Sequence, residues 1–118
     1  MSTFTAQDRQ TLALSAAYGQ GSTAYRGHER YAGRYIVGGL STRTVPVTGL
    51  RETYRSALYA LGQLDTTTAE TLGVWVQDGI VYADAGDTWL TRYAAEQAAK
   101  NRGELAYWDR VAGAEVFV

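Results

Sequence analysis

The dipeptide Asp78-Gly79 constrains this chain more than any other feature. It sits in "TLGVWVQDGIVYADAGD", between two runs rich in β-branched and aromatic residues. The two-residue turn that matches strand twist needs positive φ at both central positions, and Asp-Gly supplies it. That turn predicts a register. Gln77 faces Ile80, Val76 faces Val81, Trp75 faces Tyr82 and Val74 faces Ala83. Leu72, Val74, Val76, Val81 and Ala83 then line one face of the hairpin, and Trp75, Tyr82 and Ile80 the other. Both faces are largely apolar, so each is expected to be covered, and Trp75 and Tyr82 become candidate interface residues.

The remaining elements follow from caps and periodicity. "TAQDRQTLALSAAYG" reads as a helix capped by Thr5, with Asp8 completing a capping box and Gly19 ending it. Leu12, Ala13, Ala16 and Ala17 form its apolar stripe. A glycine-rich connector follows. Arg34–Val37 and Arg43–Val47 then read as two short strands joined by the loop Gly38–Thr42, with Pro46 at an edge or end. "GLRETYRSALYALGQL" is a helix with Leu50, Tyr54, Ala57, Leu58 and Leu61 on one face and Gly62 as terminator. A third helix starts within Thr88–Thr91 and ends near Arg102, capped by Gly103. "ELAYWD" and "AEVFV" close the chain as a hairpin turning at Arg110–Gly113.

The expectation is a single α+β domain over 1–118, with three helices and three β-hairpins in alternation. Its C-terminal part, from residue 71, forms a four-stranded antiparallel sheet packed on one helix. The three helix–hairpin units are each about 40 residues long but share no residue-level similarity, so they form a rhythm and not a repeat.

Composition excludes several chemistries. The chain has 118 residues and no cysteine, which removes disulfides, thiolate nucleophiles and cysteine-based metal centres. No apolar run reaches a membrane-spanning length. Met1–Thr5 has neither a basic nor an apolar leader region, so a cytoplasmic location is expected, in the host cytoplasm if the chain is phage-encoded. The net charge of −1 is unevenly placed. Residues 1–50 carry five arginines against two carboxylates, whereas residues 51–118 carry six basic and ten acidic groups. Such a division suits an acidic partner or a second copy of the chain, and a homodimer is expected.

The tail "GVWVQDGIVYADAGDT…RGELAYWDRVAGAEV" resembles small uncharacterised proteins of actinobacteria and their phages. The likeness rests on the Asp-Gly hairpin, the Gly103–Ala106 run and the closing Asp109–Gly113 turn. The resemblance implies an accessory protein of a phage or prophage and brings no catalytic motif.

Several segments carry residues with chemistry to consider. Gly19-Gln20-Gly21 with Ala24 matches a dinucleotide fingerprint in letters only, because a helix precedes it and none follows. His28 is the only imidazole and lacks a nucleophile elbow to serve. Asp78, Asp84 and Asp87 lie close in sequence, but a turn, a strand exit and a helix cap account for them, and no metal or cofactor is expected. The segment "STAYRGHERYAGRYIVGG" offers the richest chemistry. Tyr25, Arg26, His28, Arg30, Tyr31, Arg34 and Tyr35 mix cations with aromatic faces, as binding surfaces do. The expected function is a non-catalytic binding protein that engages a bacterial host protein or assembles with itself. The alternative is a small nucleic-acid-binding module using residues 22–39.

Overall fold

The computed structural model describes residues 3–118. The elements are α1 (Ala6–Ala17), β1 (Ser22–Tyr25), a 3₁₀ turn (Glu29–Tyr31), β2 (Tyr35–Pro46), α2 (Leu50–Gly62), β3 (Thr71–Gln77), β4 (Ile80–Trp89), α3 (Arg92–Arg102), β5 (Ala106–Asp109) and β6 (Ala114–Phe117). The strands form one antiparallel sheet in the order β1-β3-β4-β2-β5-β6. Among the described residues, no helix is long and apolar enough to cross a membrane.

The Asp78-Gly79 turn forms with φ of 52° and 75°, and every predicted cross-strand pair from Gln77–Ile80 to Val74–Ala83 is present. Helix ends also follow their local signals. Thr5 Oγ1 accepts the Asp8 N–H at 3.0 Å, and the Asp8 carboxylate accepts the Thr5 N–H at 2.8 Å. Thr91 caps α3, and Gly103 ends it at φ 72°.

Three expectations are corrected. Arg34–Val37 and Arg43–Val47 are not a hairpin. The chain from Tyr35 to Pro46 is the single strand β2, whose pairing with β4 shifts register between Val37 and Ser41. Gly39 takes φ 89° within this bulge, so a local irregularity in one strand reads as a loop in sequence. Secondly, β2 inserts between β4 and β5, so the sheet has six strands and the C-terminal four-stranded sheet does not stand alone. The connector after α1 supplies one of these strands, β1, which pairs with the distant β3. Among the described residues, only β3–β4 and β5–β6 are hairpins of adjacent strands. Thirdly, Leu50 at the start of α2 is 56% exposed, whereas Ala57 and Leu61 are buried and Tyr54 and Leu58 pack against the core as expected, with Thr53 and Ala60 added to the buried face. The Thr53 hydroxyl is satisfied by donating to the Gly49 carbonyl at 2.6 Å.

All three helices cover the same face of the sheet. α1 and α2 pack Leu12, Ala13 and Leu61 against Leu72, Val74 and Val81. α3 lays Ala95, Ala98 and Ala99 on Tyr35, Val37 and Tyr107. Alternation along β4 puts Val81, Ala83, Ala85 and Asp87 on this side. Arg102 of α3 meets Asp87 there. A leucine as buried as Leu72 contributes about 2 kcal/mol through removal from water. Among the described residues, no helix lies over the opposite face, which carries Trp75 and Tyr82.

Candidate functional site

The uncovered face of the sheet curls into a groove of about 980 Å³. Its floor is lined by Gly38 of β2, Gly73 of β3 and Gly86 of β4, and the missing side chains make the depth. A Cβ at Gly86 would overlap the Val37 carbonyl, and a Cβ at Gly38 would overlap the Asp84 carboxylate. Aromatic residues stand at both sides. Trp75 on β3 stacks on Tyr82 of β4, with centroids 5.4 Å apart and planes 7° apart. Trp108 lies on β5 opposite Ile36. Their strands are separated by β4 and β2, and Trp108 is level with Thr88, six residues along β4 from the Tyr82 that faces Trp75, so the two tryptophans stand at diagonal corners of the groove, roughly 25 Å apart. Trp75 is 39% exposed and Trp108 41%.

Asp84 is the most perturbed group in the groove. Its Oδ1 accepts the Gly39 N–H at 2.9 Å, which ties the carboxylate to the β2 bulge. Glu104 reaches the same bulge from the end of α3: a Cβ at Gly39 would lie 3.2 Å from Glu104 Oε1. Burial pushes the Asp84 carboxyl up to about 6; Glu104 adds to the rise, while the Gly39 hydrogen bond and Arg102 oppose it. Asp84 and Asp87 lie inside β4, which continues to Trp89, so the strand-exit and helix-capping roles expected for them do not apply. Being three residues apart on a strand, they face opposite sides. Asp87 accepts from Trp89 Nε1 at 2.8 Å and pairs with Arg102 at 2.6 Å. Asp78 stays at the turn. These carboxylates therefore do not converge, and no group of residues able to hold a metal ion occurs among the described residues.

The Arg/Tyr-rich segment is divided by the fold. Tyr35 is buried in the core and meets Tyr107 edge-on at 5.7 Å. Arg34 Nε and Nη2 both bind the Asp109 carboxylate, at 2.9 and 3.0 Å. That pairing holds the Asp109 carboxyl down at about 2. Tyr25 lies beneath the Arg110 guanidinium at 4.9 Å, and burial raises its hydroxyl pKa. Arg26 donates to the Thr67 carbonyl at 3.2 Å. His28 caps the 3₁₀ turn, its Nδ1 accepting the Arg30 N–H at 3.3 Å. Arg30 lies over the exposed Tyr31 ring at 5.0 Å. Tyr25, Arg26, His28 and Tyr31 line a shallow recess of about 370 Å³ together with Glu70. Five of the seven residues thus gather around the 3₁₀ turn, while the exposed Arg34 and the buried Tyr35 tie the segment to β5.

Sequence reasoning placed Trp75 and Tyr82 as partners on one face and missed the rest of the groove. Gly38-Gly39 beside a strand and the alternation of Tyr107 with Trp108 were its available signals. Asp84 had none, because its environment is assembled from β2 and the α3–β5 connection. No protein-family model, curated protein or solved structure matches this chain.

Proposed function

We propose that this chain is a non-catalytic binding protein that engages a protein partner through the open face of its sheet. The observation that carries this reading is the pair of half-exposed tryptophans, Trp75 and Trp108, on opposite sides of one groove. Large aromatic side chains left open to solvent around a concavity are what interface hot spots are built from. The accessory role in a phage or prophage, and a bacterial host protein as the partner, rest on the resemblance of the C-terminal tail. Assembly with a second copy is the other form of the same reading. The outer edge of β6 and the exposed Leu105 and Phe117 support it.

The nucleic-acid alternative draws less support. Two members of the Arg/Tyr segment, Arg34 and Tyr35, are engaged in scaffold contacts, and the groove beside it is lined by carboxylates that repel phosphate.

The test is capture from host lysate, with and without nuclease, repeated with the purified captured protein. Retention by the wild type after nuclease is expected, with loss on combining Trp75→Ala and Trp108→Ala. Tyr59→Ala, on the exposed side of α2, should retain the partner. Capture unaffected by the double substitution would overturn the groove reading. Sedimentation of the wild type and the double variant tests the second-copy form.

A further inference from the structure

Resting on the reading above, we propose that the groove receives an extended, arginine- or lysine-bearing segment of the partner, with one cationic side chain seated beside Asp84 and Glu104. Among the described residues, the groove is lined by Glu29, Asp84, Glu104 and Glu115, and by no lysine, arginine or histidine. This imbalance stands out in a chain with 11 basic and 12 acidic residues. Two arginines act on these carboxylates from outside the groove, Arg102 on Asp84 and Arg110 on Glu29, and both are held by other contacts. Arg102 binds Asp87 and the carbonyls of Val37 and Gly38. Arg110 binds the carbonyls of Glu29, Ala32 and Gly33 and pairs with the Glu29 carboxylate at 3.7 Å, so among the described residues Asp84, Glu104 and Glu115 are the groove carboxylates outside any ion pair.

The walls suit such an occupant as well as the charge does. An aromatic pair flanks Asp84, since Tyr82 lies two residues before it on the same face and stacks on Trp75. Aromatic faces attract guanidinium and ammonium groups and pack along their aliphatic stems. The diagonal of roughly 25 Å between the tryptophans is the length of about seven extended residues. The glycine floor leaves room for a side chain to reach Asp84. Asp84 Oδ1 is occupied by the Gly39 N–H, and among the described residues no donor reaches Oδ2. Asp84 and Glu104 repel one another across the bulge, and a cation between them removes that repulsion.

The probe is an acetylated, amidated Gly-Arg-Gly-Arg-Gly peptide titrated into the full chain and followed by calorimetry and tryptophan fluorescence. A copy with citrulline for arginine keeps the shape without the charge, and maltohexaose serves as a neutral sugar. The arginine peptide is expected to bind about tenfold more tightly than the citrulline peptide, with the gap narrowing as salt is added. Asp84→Asn and Glu104→Gln should each weaken the arginine peptide about threefold or more, with unchanged circular dichroism. The amide oxygen introduced by Asp84→Asn can still accept the Gly39 N–H, so this variant keeps the bulge. Equal binding of the two peptides, no binding of the arginine peptide at millimolar concentration, or preferential binding of maltohexaose would each overturn the cationic occupant. Any of these leaves the groove reading standing if partner capture still depends on Trp75 and Trp108. A dimer that becomes monomeric when Trp75 and Trp108 are both replaced by alanine would assign the groove to a second copy and overturn the inference.

Discussion

Trp75 and Tyr82 face each other across β3 and β4 and stack almost in parallel, 7° apart, on the side of the sheet that no helix covers. The pair is fixed by the Asp78-Gly79 turn and contributes both to the sheet and to the groove wall. Such aromatic pairs add about 0.5 to 1.5 kcal/mol beyond area burial. Trp75→Ala is expected to lower stability by about 1 to 2 kcal/mol, less than the ~3 to 5 of a fully buried tryptophan. The urea midpoint measures it. A loss in the fully buried range would mean that the groove is closed in solution.

Gly38→Ala should disturb the groove through one atom pair. Its new Cβ would overlap the Asp84 carboxylate, which the Gly39 N–H holds in place. Destabilisation of about 1 to 3 kcal/mol is expected, as for overpacking elsewhere. Combining Gly38→Ala with Asp84→Ala should recover most of that cost, since the carboxylate is what the methyl meets. Additive losses in denaturant titrations would assign the strain to the β2 backbone.

Asp84 gives stability an unusual pH slope. Burial raises its carboxyl from the ordinary 3.8 to about 6, with Glu104 adding to the shift. Between these values the folded chain holds a proton that the unfolded chain has released, so this group's contribution falls as pH rises through the window and levels off above it. The penalty at neutral pH is roughly 2 to 3 kcal/mol. Asp84→Asn should therefore melt higher than wild type at pH 7.5, with the advantage shrinking toward pH 4. Thermal scans at the two pH values read it directly, and equal melting at both would show that Asp84 is well solvated. A groove that keeps a destabilising carboxylate fits a binding role better than a purely structural one.

Arginines of the 22–39 segment should separate by role. Arg34 binds both oxygens of the Asp109 carboxylate and holds its pKa at about 2, so this contact stabilises above the ordinary aspartate value and is lost as pH falls toward 2. Arg34→Ala is expected to lower the melting temperature at neutral pH and to move acid unfolding to higher pH. Arg30, over the exposed Tyr31 ring, should leave both unchanged when replaced by alanine. Identical acid profiles for the two variants would show that the Arg34–Asp109 contact is not formed in solution.

The parts legible in the sequence are those whose causes are local. Asp78-Gly79 sets φ for its own turn, Thr5 and Asp8 cap one another within a single helical turn, and Gly103 ends α3 by its own backbone freedom. Each is decided within a few residues, as is the pairing of Trp75 with Tyr82. Tertiary structure decided what depends on distant strands. Gly38-Gly39 looks like a loop until β4 runs alongside and makes it a bulge, and Ser22–Tyr25 looks like a connector until β3 supplies its hydrogen bonds. β2 enters between β4 and β5, which brings Trp108 to the same face as Trp75 and Asp84. The helices cover one side of that sheet and leave the other open. The raised pKa of Asp84 follows from that arrangement, because desolvation and the repulsion of Glu104 are properties of space around a residue and not of its neighbours in the chain.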